Sequence, residues 1–317
     1  MAALPPTPRM KKRASLYALT TVILWASTFV FTKIALVCFT TSSIGVLRYA
    51  IASLCFIALA PKYKIGLPRK RDIPLFLLSG GMGFALYMAA FNRASMTLSA
   101  ATGSVLIATG PILTALAASI LLKETLSPGG WAAIAVSFAG ILVLTLWDGV
   151  FSLNSGVFWM LVAAVSISGY NLMQRFFKGR YTALQATAYS IWGGTLLMLF
   201  QLPHAAVQLW AAPAYEWAMM LYLGVFPSAL GYLLWSAALS RAEKTSDVTN
   251  FMFVTPFLAT VLGFALLGEA PTPATFVGGA LIFAGLWLFQ KTGAAKAVKK
   301  EAATDETGTG TDETCTD

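Results

Sequence analysis

The sequence predicts an all-α polytopic membrane protein, with ten transmembrane helices arranged as two inverted five-helix repeats. Three observations carry this. Apolar residues make up 57% of the 317 positions and charged residues only 11%, against about 45–50% and about 25% in ordinary globular chains. The apolar residues fall in ten long runs, whereas a transmembrane β-barrel would show alternating dyads. The chain also matches itself at one constant offset. With a mean hydropathy of +0.72, it has too few polar side chains to cover a water-facing surface.

The runs follow in order. Residues 1–14 are a basic stretch with Arg9, Lys11, Lys12 and Arg13. The run behind them, 15–37, is too long for a signal-peptide core and ends without a small-residue cleavage site, so it reads as a retained first span. Spans then follow at 42–60, 73–93, 98–122, 129–147, 156–176, 183–203, 217–239, 245–268 and 274–291. Each is near the roughly 20 residues that cross a hydrocarbon core. Residues 292–317, ending in Thr-Asp-Glu-Thr-Cys-Thr-Asp, are polar and low in complexity and read as a disordered tail.

Charge sets the expected orientation. The net charge is +9, but the last 17 residues carry six acids and no base, which leaves +15 on the rest. Basic residues sit in the short gaps between apolar runs, a pattern of membrane loops and not of a nucleic-acid-binding face. With the N-terminus cytoplasmic, 19 of the 22 basic residues fall on the cytoplasmic side. Arg93 falls at an outer boundary, and Lys33 and Arg48 lie within spans. Both termini are therefore expected in the cytoplasm of a bacterial inner membrane.

Sliding the chain by 145 residues places Pro111 on Pro256, Glu124 on Glu269, Pro128 on Pro273 and Phe138-Ala139-Gly140 on Phe283-Ala284-Gly285. Ten of the thirty residues 111–140 are identical at this offset, and Tyr87 falls on Tyr232. Each copy, 15–147 and 156–291, holds five spans. An odd number turns the second copy upside down, a construction that lets two halves exchange conformations across a membrane. This favours a transporter.

These residues also resemble a known family. Trp25-Ala26-Ser27 with Lys33 beyond, Arg48-Tyr49, Pro111 followed by Lys123-Glu124, and Gly268-Glu269-Ala270 before Gly278-Gly279 look like the EamA signature, present twice. That family belongs to the drug/metabolite transporter superfamily, which implies ten helices in two inverted repeats. The run from Leu221 to Trp235 is similar to the YddG-type exporters of aromatic and other neutral amino acids.

Catalysis finds little support. His204, the one histidine, falls in an outer loop, and Cys38, Cys55 and Cys315 have no metal-site or disulfide spacing. No paired carboxylates, phosphate-cradling loop or cofactor motif is present, and no cofactor or metal is expected. No acid lies deep in a predicted span; Asp247, near the start of the ninth, comes closest. Proton coupling usually needs such a group, so a facilitator or exchanger driven by the substrate gradient is expected.

Lys33 and Arg48 each lie near the outer end of a span. Snorkelling to the interface is one reading, and pairing with a substrate carboxylate the other. Polar and aromatic residues recur at helical spacing: Thr21, Trp25, Thr28 and Thr32 on the first helix, and Ser166, Tyr170 and Gln174 on the sixth. Ser99, Thr102 and Thr109 do so on the fourth, and Ser228, Tyr232 and Trp235 on the eighth. Aligned polar residues also arise from interhelical hydrogen bonding. The expected substrate site comprises Trp25, Thr28, Tyr87, Thr102, Tyr170, Asn171, Tyr232, Trp235 and Asn250, with hinges at Pro111 and Pro256. The expected ligands are neutral or aromatic amino acids, carried by a protein that works as a monomer in the lipid bilayer. A carrier of phosphorylated or carboxylated anions is the alternative. A membrane enzyme or a scaffold without flux is the alternative from another class.

Overall fold

The computed structural model describes residues 8–123, 125–147, 155–242 and 248–308, with side chains given for 12–292 within these ranges. Glu124 and Asp247 lie outside the described residues. The rods are α1 (Pro8–Ala35), α2 (Thr41–Tyr63), α3 (Ile73–Gly80) continued by α4 (Tyr87–Ser95), α5 (Ala100–Ile107) with α6 (Gly110–Leu121), and α7 (Pro128–Leu146). The second copy has α8 (Ser155–Phe177), α9 (Ala183–Met198) with α10 (Leu202–Ala211), and α11 (Ala214–Leu223) with α12 (Gly231–Leu239). It closes with a 3-10 turn (Asn250–Val254) leading into α13 (Thr255–Leu267), and then α14 (Pro273–Gly308).

Starts are set by side-chain caps. Thr40, Ser99, Ser127 and Thr182 accept the amides of Ser43, Thr102, Gly130 and Gln185, satisfying donors that each helix leaves free. Thr182 and Gln185 complete a capping box. The last helix continues to Gly308, past the expected start of a disordered tail, because Ala294-Ala-Lys-Ala-Val-Lys-Lys-Glu-Ala-Ala303 is rich in helix formers.

Among the described residues, nine rods are long and apolar enough to cross a membrane. The rod from Ala183 to Ala211 is of similar length but less apolar. It spends Tyr189, Ser190, Gly193, Gly194 and Thr195 on a buried face. Across the bundle, large apolar side chains such as Phe158, Phe200, Phe257, Phe264 and Phe276 face outward, where lipid accepts them.

The repeat is visible in the packing. Repeat mates α7 and α14 lie against each other, and Ser137 Oγ donates to the carbonyl of Ile282, its own mate, at 3.5 Å. A Cβ at Gly140 would come within 2.6 Å of the Gly278 carbonyl, and one at Gly285 within 2.7 Å of the Ala133 carbonyl. Those two pairs exchange under the offset, so the pseudo-two-fold passes through this contact. Close backbone approach over small residues holds helices together where lipid removes the hydrophobic drive.

Pro111 and Pro256 sit at broken helices. α5 ends at Ile107 and α6 restarts at Gly110 with Pro111 in its first turn; α13 starts at Thr255 with Pro256 likewise, behind a 3-10 turn. Proline lacks the amide that would bond four residues back, at Ile107 and Met252, so the breaks fall where the chemistry requires. Ser168 Oγ donates to the Gly110 carbonyl at 3.0 Å and ties the first break to α8.

Candidate functional site

Two spans carry a feature that periodicity does not reveal. Between α3 and α4 the chain forms a π-helical segment, Gly81–Leu86, and between α11 and α12 another, Gly224–Leu230. The offset maps 81–86 onto 226–231, so the two segments are repeat-related. Both are completed by side chains from neighbouring helices. Ser166 Oγ donates to the Met82 carbonyl at 2.6 Å, and Trp25 Nε1 to the Pro227 carbonyl at 3.1 Å. Met82 and Pro227 are mates at offset 145, as are Trp25 and Tyr170. Segments of this kind concentrate at functional sites because they re-aim the side chains around them.

The aromatic residues meet here. The Trp25 ring lies 5.4 Å from Tyr232 and 5.1 Å from Trp235. Phe84, fully buried, contacts Tyr49, Tyr170 and Tyr232 edge-on at 4.9, 5.2 and 5.7 Å. Gly83 has no side chain because the Tyr170 ring occupies that space; a Cβ would lie 2.5 Å from it. Tyr49 and Tyr232 are held against the same Phe84 ring. The Tyr87 ring lies 5.6 Å from Phe91, tilted 31° to it. Edge-to-face pairs at such distances are worth about 0.5–1.5 kcal/mol each beyond area burial.

Arg48 lies beside this group and does not snorkel, which removes one of its two readings. It lies about 10 Å along α2 from Thr41, at 1.5 Å per residue, and is only 4% exposed. Nε donates to Ser228 Oγ at 2.5 Å, Nη1 reaches Met88 Sδ at 3.8 Å, and the guanidinium carbon lies 5.7 Å from the Tyr49 ring centre. The helices around α2 enclose the side chain on its way to the interface, so proximity to a span end did not translate into access. A cation in mid-membrane costs about 2.5–3.5 kcal/mol on insertion scales, and no carboxylate pairs with Arg48 among the described residues.

Lys33 does not snorkel either. Its ammonium pairs with Glu269 and also donates to the Leu98 carbonyl at 3.0 Å. The second Glu269 oxygen accepts the Ala100 amide at 2.8 Å, at the N-terminus of α5, where a helix dipole favours an anion. Gly268, at φ +67, closes α13 in the left-handed conformation that glycine tolerates, turning Glu269 toward this point. Three spans, those of α1, α5 and α13, are tied together at this end.

Other expected site residues are placed elsewhere. Thr102 belongs to the first turn of α5, and its hydroxyl pairs with Thr275 at 2.8 Å beside the Glu269 end. Thr28 is buried near Trp25 but donates to the Trp25 carbonyl at 2.7 Å, within its own helix. Asn171 neighbours Tyr170 in sequence but is exposed, on the flank of α8, and Asn250 is exposed at the start of its 3-10 turn. His204 is exposed on α10, next to Gln208.

One titratable residue was missed. Glu216 is 1% exposed in the first turn of α11, and neither carboxylate oxygen has a hydrogen-bond partner. The apolar run read from the sequence begins at 217, which leaves this acid outside the span by a single residue. It lies twelve positions from Ser228, about 18 Å along the rod, and so stands at the mouth of the bundle, away from the aromatic group.

A multi-pass helical bundle of two inverted repeats, with its polar and aromatic residues gathered at mid-depth, defines a membrane transporter. The chain belongs to the EamA-like transporter family, which it matches twice, over residues 12–146 and 154–290. It is 31% identical, over 93% of its length and 99% of the relative's, to a protein of Streptantibioticus cattleyicolor named "Probable terminal-alkyne amino-acid exporter". It is 30% identical to an uncharacterised transporter, YdfC, of Bacillus subtilis, over 83% of this chain and 86% of that one. A crystal structure 21% identical shares the fold, with a TM-score of 0.59 over 87% of this chain and 94% of its own.

Proposed function

We propose that this transporter exports neutral amino acids with apolar or aromatic side chains, by alternating access and down the substrate gradient. The observation that carries the reading is the Trp25, Tyr232, Trp235, Phe84 and Tyr170 cluster at the two π segments. Its rings favour an apolar side chain by stacking and area burial. The relative named for an amino-acid substrate supports the same class. The basic loops at the end where Lys64 and Arg71 lie support a cytoplasmic placement of that end and of both termini. Among the described residues, the acids within the spans, Asp72 and Glu216, lie at span ends, which supports a gradient-driven mechanism.

Flux into liposomes across a panel of amino acids tests this reading. Phenylalanine and tryptophan are expected to be carried and to compete, with lysine, glutamate and sugar phosphates carried poorly. Flux is expected to be equal with and without a pH gradient. Tyr170→Ala or Tyr232→Ala should weaken competition by tryptophan roughly 3–10-fold, the equivalent of one or two lost ring contacts. Sugar phosphates outcompeting every neutral amino acid would reject the substrate class. Accumulation driven by an imposed pH gradient would reject the energetics and direct attention to Glu216 and Asp247.

The broken rods supply the moving parts in this scheme. Alanine at Pro111 or Pro256 restores an amide that can bond the carbonyl four residues back and straightens the helix. Turnover is expected to fall severalfold with yield and substrate affinity nearly unchanged. Two alanine variants with wild-type turnover would remove the hinge role.

A further inference from the structure

Arg48 carries five N–H donors in a fixed fork, and the protein uses only two of them. Nε is bound to Ser228 and one Nη1 hydrogen points at a thioether. The remaining donors, including the whole of Nη2, have no partner among the described residues. Their setting is nearly closed to solvent, with the guanidinium carbon 5.7 Å from the Tyr49 ring centre. Among the described residues no carboxylate forms an ion pair with Arg48. The Ser228 bond fixes one edge of the guanidinium, so the free edge is oriented before anything arrives. A planar fork with its outer donors unspent is matched bidentately by a carboxylate.

The repeat sharpens the point. The offset carries Arg48 onto Gly193, whose missing side chain is occupied by the Phe76 carbonyl of the crossing helix, 2.7 Å from where a Cβ would stand. Aromatic positions are duplicated across the pseudo-two-fold, Trp25 with Tyr170 and Tyr87 with Tyr232. The cation is not. The site therefore holds two aromatic walls and one positive pole.

We infer that Arg48 is the residue that binds the substrate carboxylate, and that the substrate class is apolar monocarboxylates, for which the α-ammonium group is dispensable. This rests on the exporter reading above and sharpens it, since no acid in the cluster is provided for the ammonium. Amino acids, their N-acyl derivatives and aromatic carboxylic acids share the feature that is recognised. Amides, esters and decarboxylated amines lack it. Ser228 is a positioning residue for the guanidinium.

The test is direct binding to the purified full-length protein in lipid nanodiscs, with phenylalanine, N-acetylphenylalanine, phenylalaninamide and phenethylamine as probes. The two acids are expected to bind within a few-fold of each other. The amide and the amine should bind at least about tenfold more weakly, the loss expected when a charge-assisted pair becomes a neutral one. Arg48→Gln should bring the acids down to the level of the amide, and Arg48→Lys should keep part of the preference. If Arg48→Gln does not fold, the comparison of acid with amide in the wild type decides. Equal binding of phenylalanine and its amide, or a preference that survives Arg48→Gln, overturns this inference and leaves the exporter reading standing. Binding of no probe at all overturns both.

Discussion

Gly80→Ala is expected to leave little folded protein. A methyl group at this position runs into the Ser190 carbonyl oxygen and the Gly194 nitrogen, both backbone atoms that cannot rotate away. In return, Gly194 has no room for a Cβ, which would stand 2.6 Å from the Gly80 carbonyl. The rods carrying α3 and α9 must part to admit even one carbon, and the Ser79–Ser190 hydroxyl pair at 2.9 Å is lost with them. Overpacking of this kind costs about 1–3 kcal/mol and occasionally more. Helix propensity runs the other way, with alanine better than glycine by about 1 kcal/mol, so a loss identifies the steric cause. The measurement is thermal unfolding in detergent with monodisperse yield as a second readout. Gly66→Ala, where nothing lies within 4 Å of the added carbon, is the control and should behave as wild type. Equal stability of the two variants would show that this crossing tolerates separation.

The second large effect is expected at Lys33 and Glu269. Removing the carboxylate leaves an ammonium about four-fifths buried and strands the Ala100 amide; removing the ammonium leaves the carboxylate with one backbone donor. Breaking a fully buried pair costs about 3–5 kcal/mol, and partial exposure reduces this to about 1–3 kcal/mol. Lys33→Met and Glu269→Gln should each lower the unfolding temperature, and the double variant should lose less than their sum. That sub-additivity is the signature of a direct pair. Strict additivity would mean that the two side chains act on the bundle separately.

Much of the architecture was legible because hydropathy and repetition are carried by many residues at once. The span limits read from apolar runs differ from the rods by a few residues in most cases, and the offset that aligned Pro111 with Pro256 also located the two breaks. The finer placement was harder to read, for specific reasons. The two readings of Arg48 stayed open because depth along a helix says nothing about which neighbours enclose it. Thr102 was grouped with the cavity because a stripe on a wheel does not distinguish a binding face from a helix-packing face. Glu216 was missed by one residue at a boundary, where an acid ends an apolar run by definition. The π segments have no side-chain signature at all, since they are a choice among backbone hydrogen-bond partners. Only their glycines, Gly81 and Gly83 in one copy and Gly224 in the other, hinted that the backbone there was special.

Those π segments also carry a historical record. A π segment is the trace of one residue inserted into a regular helix, tolerated by widening a single turn. Insertions at matching places in two halves of one chain are most simply a single event, older than the duplication that produced the halves. The five-helix ancestor had then already acquired the irregular turn. Everything since has been divergence on that frame, with one copy holding an arginine where the other holds a glycine. Relatives that lost the extra residue in one half would show a one-position slip between their copies within the third or eighth span. That slip is a marker by which branches of the lineage can be ordered from their sequences.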